Sequence, residues 1–150
     1  MVCGCNPATT RPVFLPLPEA PFAVVDAPRE RVVPEITAWL VAQGFRIARS
    51  EPRDGFVETA WFDPVTRQSF RTERDVPHLE RTFRIRCWID PDVPRASGLV
   101  VEPVYRPVYD PSRTSRDLEV LVPEGQTGRD VALRLIEEMK KKLGVPPGRN

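Results

Sequence analysis

The chain has 150 residues, 41% of them hydrophobic, enough for one core of ordinary domain size without a disulfide scaffold. Its 22 basic and 21 acidic residues leave a formal net charge of +1, so no overall field draws it toward nucleic acid or an anionic membrane. Eighteen prolines are the compositional anomaly, and no apolar run is long enough to form a membrane-spanning helix.

Residues 6–21, "NPATTRPVFLPLPEAP", carry five prolines, which remove amide donors and favour extended polyproline-type backbone. Phe14, Leu15 and Leu17 make this segment too apolar for a purely solvated spacer, so a partner surface or the protein's own flank is expected to receive them. "PFAVVDAP" then reads as a short strand. In "ERVVPEITAWLVAQG" the spacing of Val32, Ile36, Trp39, Leu40 and Gln43 predicts a helix that stops at Gly44, with Pro34 either starting its regular part or kinking it.

"FRIARS" and "FVETAWF" flank "EPRDG" and predict an antiparallel hairpin with Asp54 and Gly55 at the bend. "RTFRIRCWI" alternates with period two, placing Phe83, Ile85, Cys87 and Ile89 toward the core and Arg84, Arg86 and Trp88 outward on a solvated face. "SGLVVEPVYRPVY" predicts another strand, whose Pro103 and Pro107 push its later half to a sheet edge. "RDLEVLV" fits a short strand or a helical turn equally. "TGRDVALRLIEEMKKKLG" predicts the clearest helix, with Thr127 as N-cap, a stripe of Val131, Leu135, Met139 and Leu143, and Lys140, Lys141 and Lys142 in the last turn, where the helix dipole favours cations. The order predicts an α+β domain: an antiparallel sheet of four to five strands with two helices packed on one face. Residues 1–20 form an amino-terminal tether, 21–145 the domain and 146–150 a tail.

Chemistry-bearing constellations are sparse. His78 is the single histidine, in "DVPHLE", with no serine or cysteine motif beside it, and reads as a surface-loop residue. One histidine and three cysteines give no paired metal-ligand spacing, and "PEGQTGRD" lacks the lysine and hydroxyl of a phosphate loop. Arg84, Arg86 and Trp88 could stack single-stranded nucleic acid on an exposed strand face, but the near-neutral charge opposes the phosphate attraction such binding needs. Cys87 reads as a small buried apolar side chain. The expectation is a protein that is not an enzyme and has no cofactor, no metal and no nucleic-acid partner.

Val2, Cys3, Gly4 and Cys5 resemble the end of a bacterial lipoprotein signal, in which small residues precede the cysteine that is cut free and acylated. The resemblance implies Cys5 as the lipidated residue, a lipid anchor in the membrane and a location on the periplasmic side; an unmodified Cys5 would place the protein in the cytoplasm. Of the charged and apolar leader found in that family, the sequence shows only Met1 and Val2. A helix ending in "LVAQGF", then "DGFVETAWF" with Gly55, Thr59 and Trp61, then "RTFRIRCW" and a terminal helix, resemble the helix-grip domains of BamC-like lipoproteins. That resemblance covers roughly residues 30–143 and implies a noncatalytic accessory or scaffold role on an integral-membrane protein complex. Outer-membrane assembly machinery fits, as does an extrinsic subunit of an energy-transducing complex such as a photosynthetic reaction centre. Phe14, Leu15, Leu17, Arg84, Arg86 and Trp88 are then the expected partner-binding residues. The alternative is a soluble binding module for nucleic acid or for a small ligand in the helix–sheet cleft.

Overall fold

The structure is a computed structural model that describes residues 11–93 and 95–148. Its elements are β1 (Phe22–Val25), α1 (Arg29–Ala42), β2 (Ile47–Glu51), β3 (Phe56–Thr59), β4 (Trp61–Phe62), β5 (Ser69–Phe70), β6 (Phe83–Asp92), β7 (Ala96–Tyr105), α2 (Ser115–Leu118), β8 (Val120–Leu121) and α3 (Thr127–Leu143). The strands form one antiparallel sheet in the order β1-β7-β6-β3-β2; β4 and β5 extend it beside β6, and β8 pairs with the end of β7. The architecture is α+β, as expected, but the sheet has eight strands instead of four or five. The extra ones are two-residue pieces, too short to show a period in sequence.

One face of the sheet carries α1 and α3. Val32, Val33, Ile36 and Leu40 of α1 and Val131, Leu135, Ile136 and Met139 of α3 meet Val57, Ile85, Cys87, Ile89, Leu99 and Val101 in one apolar core. The expected inward set of β6, Phe83, Ile85, Cys87 and Ile89, is buried there. Pro34 lies inside α1, and the helix runs through it. Helix α1 ends in a Schellman turn: Phe45 N–H donates to Leu40 C=O, Gly44 N–H donates to Val41 C=O, and Gly44 takes a φ of 97°. Phe45 and Leu40 then pack together in the core, which fixes the exit of the chain into β2.

Two sequence expectations are corrected. Thr127 is the first residue of α3 and not its N-cap, because the Gln126 carbonyl already accepts the first helical bonds, from Arg129 and Asp130. The later half of β7 is not a sheet edge. It is paired to β6 throughout, and β8 closes its other side through Val104 and Tyr105. Pro103 is tolerated because residues 101 and 103 point their backbone polar groups away from β6: Val101 N–H donates to Pro21 C=O, and Pro103 C=O accepts from Val122 N–H. The missing proline donor therefore costs no bond to β6. "RDLEVLV" contains both of its alternatives, the single turn α2 and the strand β8.

The partial alternation of "FVETAWF" also has a cause. Residues Phe56–Thr59 are buried on both faces, and the strand breaks at Ala60, whose N–H turns to Arg46 C=O. The Thr59 hydroxyl accepts from Ile85 N–H at 3.0 Å, replacing the ladder bond lost at the break. Gly55, at φ 68°, lies so close to β6 that an added Cβ would stand 2.0 Å from the Ile89 carbonyl oxygen.

Candidate functional site

The second face of the sheet is where the structure departs most from the sequence reading. Strand alternation turns Arg84, Arg86 and Trp88 away from the helices, as expected, yet they are 9%, 4% and 1% exposed. The expected solvated face is therefore a second buried layer. Three segments cover it: the strap that begins at Arg11, the loop from Arg71 to Thr82, and the stretch carrying α2 and Glu119.

Sheet register aligns opposite charges. Glu58 on β3, Arg86 on β6 and Glu102 on β7 sit side by side across three strands. Arg86 donates from Nε to Glu58 at 2.6 Å and through both terminal nitrogens to Glu119, with a longer contact of 3.4 Å to Glu102. Arg116, on α2, grips both oxygens of Glu102 at 2.7 and 2.9 Å and reaches Glu119 at 3.1 Å. Glu102 and Glu119 are buried, so their charge is compensated by these two guanidinium groups and not by solvent. Burial disfavours the charge on Arg86, but hydrogen bonds and the field from Glu119 and Glu58 outweigh it and hold its pKa above the ordinary arginine value.

The strap completes this layer. Arg11 makes a two-pronged ion pair with Asp90 at 2.6 and 3.1 Å. The Phe14 ring meets the Trp88 ring edge-on at 6.1 Å, and the guanidinium carbons of Arg86 and Arg116 lie 5.2 and 4.3 Å from its centroid. Leu15 C=O accepts from Arg116 at 2.6 Å, and Leu17 N–H donates to Glu102 at 2.6 Å. Of the expected partner-binding residues, Phe14 thus contacts both Arg86 and Trp88 within the chain. Leu15 is 82% exposed, and Leu17 is half-buried. Cys5 lies outside the described residues.

A neighbouring cluster is less well satisfied. Arg84 stacks on the Trp61 ring at 4.5 Å and stands 3.7 Å from Glu58, while Arg106 stands 3.6 Å from Glu73. Trp61 Nε1, Arg84 Nε and Arg106 Nε have no hydrogen-bond partner. Burial lowers the pKa of Arg84, with Glu58 opposing. Trp61, Glu73, Val76, Leu79, Thr82 and Arg106 surround a gap too tight for a water molecule.

Other candidates from the sequence are dispersed. His78 is half exposed, 3.5 Å from Glu80. Cys87 is fully buried and free, and burial, helped by the Glu102 charge, pushes its thiol pKa well up, away from nucleophilic use. Among the described residues no group of three or more His, Cys, Asp or Glu side chains could hold a metal ion, and no helix is long and apolar enough to cross a membrane. The helix–sheet cleft is filled by Phe83 and its core neighbours, with Trp39 packed against them.

Sequence reasoning missed Glu58, Glu102, Glu119, Arg116 and Arg11. The charge alternation of "RIR" against "VEP" was visible, but pairing it needs the register of β3, β6 and β7. Comparison with protein-family models and with curated proteins finds no match for this chain.

Proposed function

We propose that the chain is a noncatalytic accessory lipoprotein, anchored through Cys5 on the periplasmic side of a bacterial membrane, whose helix-grip-like domain docks on an integral-membrane protein complex. The observation that carries this reading is the strap. From Arg11 onward it is fixed to the sheet, and it presents Val13 and Leu15 outward at 94% and 82% exposure. Six residue steps separate Cys5 from Arg11, a reach of at most about 22 Å. An acylated Cys5 therefore keeps the strap-covered side of the domain beside the bilayer. Apolar side chains on an ordered, anchored segment suit a partner that rises from the same membrane. Outer-membrane assembly machinery or an energy-transducing complex such as a photosynthetic reaction centre would be such a partner.

The alternatives draw less support. Arg84, Arg86 and Trp88 are buried against carboxylates and rings of the same chain, which leaves no open platform for stacking bases. The cleft that would hold a small ligand is occupied by core side chains.

Intact-mass measurement of the native amino terminus tests the anchor. Acyl groups on Cys5 are expected, and Cys5→Ser is expected to move the protein to the soluble fraction. Val13→Asp combined with Leu15→Asp is expected to leave the protein anchored but release it from the detergent-solubilised complex. An unmodified Met1 in the soluble fraction overturns the proposal.

A further inference from the structure

The strap is held by groups that recognise two of its side chains and its extended backbone, and not its connection to the domain. Asp90 takes the Arg11 guanidinium, Trp88, Arg86 and Arg116 frame the Phe14 ring, Arg116 takes the Leu15 carbonyl and Glu102 takes the Leu17 amide. Any copy of this extended segment satisfies the same groups. An empty groove, in contrast, leaves Glu102 without the Leu17 amide and Arg116 without the Leu15 carbonyl, while the two stay paired with each other.

The connection itself is strained. Strap and β1 are joined by the turn Leu17-Pro18-Glu19-Ala20, closed by Ala20 N–H to Leu17 C=O at 3.3 Å. Glu19 has a φ of 68°. Such a turn, with proline at its second position, takes glycine at the third, because a side chain there is disfavoured in the left-handed region. Opening the turn relieves this strain, whereas every strap contact can be remade on another molecule.

We infer that the strap is an exchangeable element, and that its groove is a binding site for the strap of a second copy of this chain. Two copies trade residues 11–17 about a two-fold axis, each Phe14 seating between the partner copy's Arg86 and Arg116. The hinge is Pro18 to Ala20, extended in the dimer and bent in the monomer.

Light scattering of the full chain over a wide concentration range tests the exchange. A dimer fraction that rises with concentration is expected. Phe14→Ala is expected to abolish it, since the ring carries the strap's contacts with Trp88, Arg86 and Arg116. Glu19→Gly keeps every strap contact and removes the turn strain, so it is expected to weaken dimerisation by at least about fivefold. If Phe14→Ala fails to fold, Glu19→Gly alone decides. In parallel, a labelled peptide of residues 9–21 is expected to bind the Phe14→Ala chain about tenfold more tightly than the wild-type chain, whose own strap competes at high effective concentration. A wild-type chain that stays monomeric at every concentration overturns the exchange, whether or not the peptide binds; so does a dimer indifferent to Glu19→Gly.

Discussion

On the helix side of the sheet Ile85, Cys87 and Ile89 meet apolar neighbours, whereas one residue away along the same strand Arg84, Arg86 and Trp88 meet carboxylates and rings. Both faces are buried, by different physics. The helix face gains from removing apolar area from water, at about 25 cal/mol per Å², and it needs only volume and shape to match. The strap face must compensate every charge it buries, so its contacts are specific while their net contribution to stability is small. This difference separates a core that holds the fold together from a layer that selects what covers it.

The sharpest test of that comparison is Arg86→Met, which leaves Glu58, Glu119 and Glu102 short of a partner and is expected to cost about 3–5 kcal/mol in urea denaturation. Replacing Arg86 and Glu119 together by Met and Leu, which leaves Glu58 to Arg84 and Glu102 to Arg116, is expected to recover at least half of that loss. A double variant no better than the single one would break the comparison, making the ionic network a stabiliser in its own right. On the helix face Leu40→Ala is expected to cost about 2–5 kcal/mol through the cavity it leaves, and Leu40→Met to be close to neutral; a large loss for Leu40→Met would show that this core is as shape-selective as the strap layer.

Gly55→Ala tests the close approach of the β2–β3 bend to β6. With its Cβ placed 2.0 Å from the Ile89 carbonyl and a positive φ, a loss of about 2 kcal/mol or more is expected in thermal or urea unfolding. Acid unfolding probes the buried Asp63 carboxylate. Burial raises the pKa of Asp63, but the Arg81 guanidinium and the Val65 and Thr66 amides outweigh it and leave the carboxyl below its ordinary value of 3.8. A depressed folded-state pKa contributes stability that is complete above the ordinary value and is lost as pH falls through the depressed one. Asp63→Asn is therefore expected to flatten the acid limb of the stability curve and to leave its slope near neutral pH unchanged. The smallest expected effect is chemical: in the native protein the peptide bearing Cys87 should stay unlabelled by iodoacetamide while the urea-unfolded chain labels there. Labelling at a native rate typical of exposed thiols would show that the helix face opens.

The sequence by itself determined the elements whose period exceeds a turn or two. Period two fixed which residues of β6 face the helices, the 3.6-residue stripe fixed α3, and "EPRDG" fixed the β2–β3 bend at Gly55, because these depend on local backbone geometry. The apolar Phe14 in a proline-rich segment already announced a receiving surface. Tertiary structure alone decided what that surface is. Burial of Arg84 and Arg86 depends on Glu58 and Glu102, adjacent in sheet register though distant in sequence, and on Glu119, delivered by the segment just after α2. A strand that alternates arginine with apolar residues reads the same whether water or a strap covers it, since alternation reports which side a residue faces and not what lies there.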